Sequence, residues 1–186
     1  MFIQTEETPN PNSVKFLFDS PIAISAPVEY TKNTHSGNFA SDIFETHGVE
    51  GVYITNNFLT ITKADSEPWS VIKPQILHIL SEYLIQKKPL ISDDSAVENA
   101  EAKPNYDNLS AVEKEIVELI EERVRPAVAM DGGDIQFIKY ESDSGIVYLR
   151  MHGACSGCPS SSSTLQGGVK RMLQHYIPEI TDVIGV

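Results

Sequence analysis

The sequence predicts an α+β protein made of two small α/β-sandwich domains joined by a flexible acidic linker. Segments rich in β-branched and aromatic residues alternate with segments whose apolar residues recur at helical spacing. Between them, residues 92–104 are small, polar and acidic, and lack the apolar side chains that packing requires. The 186 residues suffice for two small domains with their own cores. We expect domains over residues 1–87 and 108–186, with a linker over residues 88–107.

The first domain is predicted to contain four strands and two helices. The strands are expected at residues 2–5, 14–18, 49–55 and 58–62, and the helices at residues 38–46 and 68–86. The last two strands are joined by Asn56-Asn57, a pair that tolerates a positive φ and therefore suits a tight hairpin. The second helix has apolar residues at helical spacing: Ile72, Ile76, Ile79, Leu80 and Tyr83.

The second domain is predicted to follow the order α-β-β-α-β. Ser110 with Glu113 three residues later is a capping box, which marks the start of the first helix. Pro126 should end or kink that helix, and a second helix should begin near Pro159. Strands are expected at residues 134–140, 146–151 and 180–184. The apolar faces of the two helices are predicted to be Val112, Ile116, Leu119, Ile120 and Val124, and then Leu165, Val169, Met172 and Tyr176.

The composition argues against several kinds of partner. Lys and Arg total 14 against 26 Asp and Glu, a net charge of −12, so a broad basic surface for nucleic acid is not expected. No apolar run reaches the roughly 18 residues of a membrane span. The first residues resemble neither a signal peptide nor a transit peptide. We therefore expect a cytoplasmic protein in a reducing compartment.

All thiol chemistry of the chain depends on Cys155 and Cys158, its only cysteines, which form a C-x-x-C motif. Such a pair can close a disulfide, bind half of a tetrahedral metal site or hold half of an iron–sulfur cluster. The predicted position, between a strand end and a helix N-terminus, should lower the thiol pKa. Gly153 and Gly157 should let the backbone bend so that its amides approach the sulfurs.

The surrounding residues favour some of these three chemistries over others but exclude none of them. A thioredoxin-like fold needs several elements after its motif, whereas only 28 residues follow Cys158. A structural zinc or a 4Fe-4S cluster normally needs four ligands, and neither His152 nor His175 is well placed to add one. Two chains related by a two-fold axis would complete four thiolates around one cluster. A thiol–disulfide or zinc-binding module using the same pair remains the alternative.

Two glycine-containing motifs call for an explanation. Asp131-Gly132-Gly133-Asp134 could supply paired acids for catalysis or a cation, but a glycine turn leading into a strand is the preferred interpretation. Gly167-Gly168 lies inside the last predicted helix, where each glycine costs roughly 1 kcal/mol against alanine. Close packing on the sheet or mobility of the segment beside the cysteines could explain this pair.

Two stretches of the chain resemble one known family. Met130 through Pro159, with Asp131-Gly132-Gly133-Asp134 and then the sequence GACSGCP, is similar to the NifU-like C-terminal domain of the Nfu iron–sulfur proteins. Residues 2–13, FIQTEETPNPNS, look like the opening of the Nfu N-terminal domain.

This resemblance implies a non-enzymatic carrier that holds a 4Fe-4S cluster between the two subunits of a homodimer. By position, Cys155 and Cys158 would be the cluster and metal ligands, and no residue would be catalytic. The cluster would come from an upstream assembly scaffold and pass to apo iron–sulfur proteins, with no nucleic acid or membrane as partner. The N-terminal domain would serve partner recognition. The compartment implied is a bacterial cytoplasm, or the mitochondrial matrix for a processed eukaryotic form.

Overall fold

The computed structural model describes residues 3–24, 26–32, 38–91, 108–156, 158 and 165–186. The chain divides into two compact units, Met1–Glu101 and Ala102–Val186. The predicted linker lies almost entirely outside the described residues, as do Phe2 and the expected helix start near Pro159. Among the helices that are described, none combines the length and the apolar character that crossing a bilayer requires.

The first unit is built on a five-stranded antiparallel sheet with the order β1-β2-β5-β4-β3. Its strands are β1 (Ile3–Glu7), β2 (Ser13–Phe18), β3 (Val28–Thr31), β4 (Val49–Ile54) and β5 (Phe58–Lys63). Sequence reasoning missed β3, because at four residues it is too short for its alternation to stand out. It pairs with β4 at the edge of the sheet and buries Val28 and Tyr30.

Two helices, α1 (Asn38–Phe44) and α2 (Trp69–Ile85), complete this unit. Four of the five residues predicted for the apolar face of the second helix, Ile72, Ile76, Leu80 and Tyr83, are buried in the core. The β4–β5 hairpin is confirmed, but the reason given for it is wrong, because neither Asn56 nor Asn57 has a positive φ. Thr55 closes the turn instead, since its Oγ1 accepts the amide of Phe58 at 3.0 Å.

The second unit begins with an irregular helix whose turns widen in the middle. The capping box is confirmed, with Ser110 and Glu113 bonding reciprocally at the start of α3 (Ala111–Leu119). A π-helical segment, Ile120–Val124, follows and leads into α4 (Arg125–Met130), which carries Pro126 in its first turn. The buried residues are spaced four apart: Ile116, Ile120, Val124 and Val128. A π-helical turn holds about one more residue than an α-helical turn, which suits this wider spacing.

The sheet of the second unit contains β6 (Gly133–Glu141), β7 (Ile146–Gly153) and β8 (Asp182–Gly185). β6 pairs antiparallel with β7, and β8 pairs parallel with β7. A second π-helical segment, Leu165–Val169, precedes α5 (Lys170–Tyr176). These elements confirm the α-β-β-α-β order.

The predicted apolar face of the last helix needs a correction. The prediction is confirmed at Val169, which is buried, and Met172 packs partly buried against the core. It is wrong at Tyr176, which is 42% exposed, and it left out Leu173 and Ile177, which are buried. The departure falls after Val169, in α5, where the buried positions continue at a spacing of four residues.

Candidate functional site

The two cysteines follow the end of β7 and are not openly exposed. Cys155 is half-buried, and Cys158 is buried with 9% of its surface accessible. The chain leaves the strand at Gly153, which has a φ of 62°, a value that favours glycine. In the residues that follow Gly153, the amide of Ser156 donates to the Gly153 carbonyl at 3.0 Å, and the amide of Ala154 donates to the Gly132 carbonyl at 3.1 Å.

The Asp131–Asp134 motif forms the neighbouring turn and lies against Cys155. α4 ends at Met130, Gly132 turns the chain with a φ of 80°, and Gly133 starts β6 directly opposite Gly153. A methyl group placed on Gly133 would stand 2.6 Å from Cys155 Sγ and 2.7 Å from the carbonyl oxygen of His152. The sulfur of Cys155 therefore packs directly against the backbone of β6. The predicted glycine turn leading into a strand is confirmed.

An ion pair braces this turn from the other side. The Arg125 guanidinium donates to both carboxylate oxygens of Asp134, at 2.8 and 2.9 Å, and also to Glu121 on the preceding helical turn. These two carboxylates raise the pKa of Arg125 above its usual value, with the hydrogen bond to Asp134 the largest cause. Asp134 Oδ1 also accepts the amide of Ile135. Asp134 is thus committed to a structural ion pair, which disfavours its use as a catalytic acid.

The expectation of a lowered thiol pKa is wrong for Cys155. Burial, followed by electrostatic interaction with Asp131, Cys158 and Asp134, raises the pKa of this thiol to about 11. The prediction relied on a helix N-terminus near Pro159, which lies outside the described residues. At neutral pH the metal-free protein keeps Cys155 as a thiol, and a metal must displace its proton to bind.

His152 and His175, the two histidines considered as further ligands, have other contacts. His152 Nε2 lies 3.3 Å from Gln136 Oε1 across the sheet, and the His175 ring packs edge-on against Tyr176 with 5.0 Å between ring centroids. Within the described parts of the chain, no group of three or more His, Cys, Asp or Glu side chains could hold a metal ion.

Sequence reasoning found the two cysteines but missed Gly133 and Arg125. The signal for Gly133 was present, because a glycine pair needs only one glycine for the turn and the second then requires a reason of its own. Arg125 had no comparable signal, since its partner Asp134 lies nine residues away around the turn. Chemically, the site offers two sulfurs from one loop, which is half of the thiolate set that a cluster normally takes.

Comparison with known proteins covers both units. The family model described as "Scaffold protein Nfu/NifU N terminal" matches residues 3–87, and the model "NifU-like domain" matches residues 116–184. The "NifU-like protein 5, mitochondrial" of Arabidopsis thaliana is 40% identical over 98% of this chain and 67% of its own length. The "NFU1 iron-sulfur cluster scaffold homolog, mitochondrial" of Drosophila sechellia is also 40% identical, over 98% of this chain and 64% of its own length.

The chain therefore spans about two thirds of the length of these relatives. Among solved structures, the solution structure of a NifU-like protein from Saccharomyces cerevisiae is 31% identical. It matches 50% of this chain and 86% of its own, with a TM-score of 0.45. The two family models together take in both motifs singled out in the sequence, and both cysteines fall within the second. The chain belongs to the Nfu family of proteins with a NifU-like domain.

Proposed function

We propose that this protein is an iron–sulfur cluster carrier that holds a 4Fe-4S cluster through Cys155 and Cys158 and delivers it to apoproteins. The observation that carries the proposal is the placement of the only two cysteines of the chain on one loop, inside the region matched by the NifU-like model. The Drosophila relative is named as an iron–sulfur cluster scaffold homolog, which supports the same role.

Because each chain has only two thiols, the proposal requires a dimer. A 4Fe-4S cluster is usually held by four cysteine thiolates, and each chain supplies two. A two-fold axis presents the same loop from both copies, so two chains provide four ligands around one cluster. A cluster held between two half-sites can leave when the halves separate, which suits transfer to another protein. In that transfer, thiolates of the recipient replace those of the carrier on iron, and protons pass to the carrier's sulfurs.

The alternative of thiol–disulfide exchange is less well supported. The attacking species in that reaction is a thiolate, and Cys155 has its pKa raised to about 11 by burial and nearby negative charge. A nucleophilic cysteine usually lies in an electropositive environment, whereas Asp131 and Asp134 are the charged residues that act on Cys155.

Donor, recipients and compartment follow from the same proposal. An upstream assembly scaffold supplies the cluster, and apo iron–sulfur proteins receive it. The first unit, which holds no cysteine, contributes to the recognition of these partners. The plant and insect relatives are named as mitochondrial proteins, which favours the mitochondrial matrix over a bacterial cytoplasm.

Anaerobic reconstitution with ferrous iron and sulfide tests the proposal. We expect absorption from thiolate-to-iron charge transfer, about four irons and four sulfides per two chains, and a shift from monomer to dimer in sedimentation velocity. A colourless protein, or one iron bound per chain without sulfide, would contradict the carrier function.

Serine substitutions identify the ligands. Cys155→Ser and Cys158→Ser should each abolish retention of the cluster and leave the far-ultraviolet circular dichroism unchanged, because the buried core cluster of the second unit is built from other side chains, with Cys155 packed against its edge. Ser156→Ala, an exposed position between the two cysteines, is the matched control and should reconstitute like the wild type. If either cysteine variant kept its full iron content, the assignment of that ligand would be wrong.

A further inference from the structure

Gly133, the first residue of β6, lies directly beside the sulfur of Cys155. We propose that Gly133 is a positioning residue, whose missing side chain creates the space that holds the Cys155 sulfur in place for the cluster. This inference rests on the proposed function for its purpose, but its geometric part can be tested in the metal-free protein.

The space at Gly133 is occupied by Cys155. A Cβ atom at this position would lie 2.6 Å from Cys155 Sγ, 3.1 Å from Cys155 Cβ and 2.7 Å from the His152 carbonyl oxygen. Heavy atoms in protein interiors attract at about 3.5 to 4.0 Å and repel strongly at these shorter separations. Any side chain at residue 133 would therefore have to move the sulfur or the backbone.

The backbone conformation does not explain the glycine. Gly132 and Gly153 have positive φ values of 80° and 62°, which favour glycine by themselves, but Gly133 is not among the residues with a positive φ. Gly51, another strand glycine, would place a Cβ 3.5 Å from Thr62 Cβ, an ordinary van der Waals contact. What requires glycine at residue 133 is thus the neighbouring chain segment that carries Cys155.

The strand beneath the sulfur is held firmly, so a side chain there would displace the sulfur more easily than the strand. Gly133 pairs with Gly153 at the end of a long ladder between β6 and β7. Beside it, Asp134 is bonded through both carboxylate oxygens to Arg125. The Gly132 carbonyl accepts the amide of Ala154 at 3.1 Å, which ties the turn to the start of the cysteine loop.

The position of this sulfur matters twice in a symmetric dimer. The two-fold axis repeats any displacement of Cys155 on the opposite side of the cluster, so two of the four iron–thiolate bonds would be affected together. We therefore expect Gly133→Ala to reduce retention of the cluster to the low level expected for Cys155→Ser, although both cysteines are still present.

A double-mutant cycle on the metal-free protein tests the geometry. Unfolding by urea is measured for the wild type, Gly133→Ala, Cys155→Ala and the double variant. If the sulfur is the main obstacle, Gly133→Ala should cost less stability once the sulfur is gone, with a difference of about tenfold in the unfolding equilibrium constant. An equal loss of stability from Gly133→Ala in both backgrounds would overturn the proposal. The proposal would also be overturned if Gly133→Ala and the double variant both failed to fold, because removing the sulfur would then have relieved nothing. Gly51→Ala is the control and should show no coupling to Cys155→Ala.

A thiol-labelling experiment follows the sulfur directly. In a Cys158→Ser background only Cys155 reacts, and an uncharged maleimide reports how accessible its sulfur is. Gly133→Ala should increase the labelling rate several-fold by forcing the sulfur out of its space, whereas Gly51→Ala should leave it unchanged. An unchanged rate in Gly133→Ala would overturn the proposal. If the wild type binds no cluster, the carrier function fails independently of either result.

Discussion

The loop at residues 8–12 in the first unit and the cysteine loop in the second are both tight connections beside a strand, but they are held in different ways. In the first loop, polar side chains bond to the backbone. Thr8 Oγ1 accepts the amide of Asn10 at 3.2 Å, and Asn10 Oδ1 accepts the amide of Asn12 at 3.0 Å. Lys63 Nζ donates to Asn12 Oδ1 at 3.1 Å, and Trp69 Nε1 donates to the carbonyl of Pro11 at 2.9 Å.

The described part of the cysteine loop depends on its backbone and on glycines. Backbone amides of Ala154 and Ser156 bond to carbonyls of Gly132 and Gly153. Gly133 leaves room for the Cys155 sulfur, which packs against the strand. The polar side chains nearby, Arg125 and Asp134, bond to each other and brace the turn from outside.

On the proposed function, this difference separates a structural loop from a loop that offers its side chains to a ligand. Side-chain hydrogen bonds fix a connection firmly, but each polar atom used in this way has its partner within the fold. Glycines shape a loop without using side chains, which suits the proposed role of the sulfurs as ligands. We therefore expect substitutions in the first loop to change stability and substitutions around the second to change cluster binding.

The largest effect of this kind is expected for Lys63→Met. Lys63 is 7% exposed, and its ammonium donates to Asn12 Oδ1 and to the carbonyl of Ala64, both at 3.1 Å. Methionine keeps the apolar length of the side chain but leaves these oxygens unsatisfied, at a cost of about 1 to 3 kcal/mol. Urea unfolding measures the loss, and the iron content after reconstitution should stay at the wild-type level.

Lys32→Met, at an exposed position just after β3, controls for the loss of one positive charge. A Lys63→Met protein that is as stable as Lys32→Met would contradict the role given to the lysine. A Lys63→Met protein that folds but binds less iron after reconstitution would contradict the expectation that the first loop affects stability and not cluster binding.

Much of the fold could be predicted because its elements carry local signals. The capping box at Ser110 and the apolar spacing from Ile72 to Tyr83 identify helices that the structure contains. The strand β3 was missed because four residues show too little alternation. The face of the last helix was right at Val169 and wrong at Tyr176, because the apolar residues of this segment fit two neighbouring faces and only the packing on the sheet selects the one with Leu173 and Ile177.

The site was predictable in part. Cys155 and Cys158 stand out by residue type alone, but their surroundings depend on contacts that sequence spacing does not reveal. The thiol pKa of Cys155 was expected to fall because of a helix N-terminus, and it rises because the sulfur is buried against Gly133 near two carboxylates. Burial and charge at a site result from the tertiary structure, so the direction of such a shift could not be read from the motif.

A smaller effect is expected for Tyr83→Phe, which removes a side-chain hydrogen bond in the first unit. Tyr83 Oη donates to Asp42 Oδ2 at 2.7 Å and links α2 to α1. Burial, followed by this bond and the charge of Asp42, raises the pKa of Tyr83 from 10.0 to about 12. The loss of the bond should cost about 1 kcal/mol at neutral pH, measured by urea unfolding.

The stability that this bond contributes to the wild type should decrease at alkaline pH. A phenol whose pKa is higher in the folded state contributes stability that is fully present below pH 10.0 and is lost as the pH rises toward about 12. The stability difference between wild type and Tyr83→Phe should therefore shrink across that range. A stability difference that stays constant over this pH range would contradict the assigned hydrogen bond. A change in iron content at neutral pH would contradict the expectation that this substitution in the first unit alters stability and not cluster binding.

The smallest effect, and one of opposite sign, is expected for Gly168→Ala in the π-helical segment after the cysteine loop. A Cβ at Gly168 would meet no heavy atom within 4 Å, and the φ of this residue is not positive. Close packing on the sheet therefore does not explain this glycine, and the prediction tests the other explanation, mobility of the segment. Alanine should stabilise the protein by up to about 1 kcal/mol and slow the transfer of the cluster to an apo-ferredoxin, followed by circular dichroism. Ser156→Ala should do neither. A variant with higher stability and an unchanged transfer rate would show that transfer of the cluster does not need mobility of this segment.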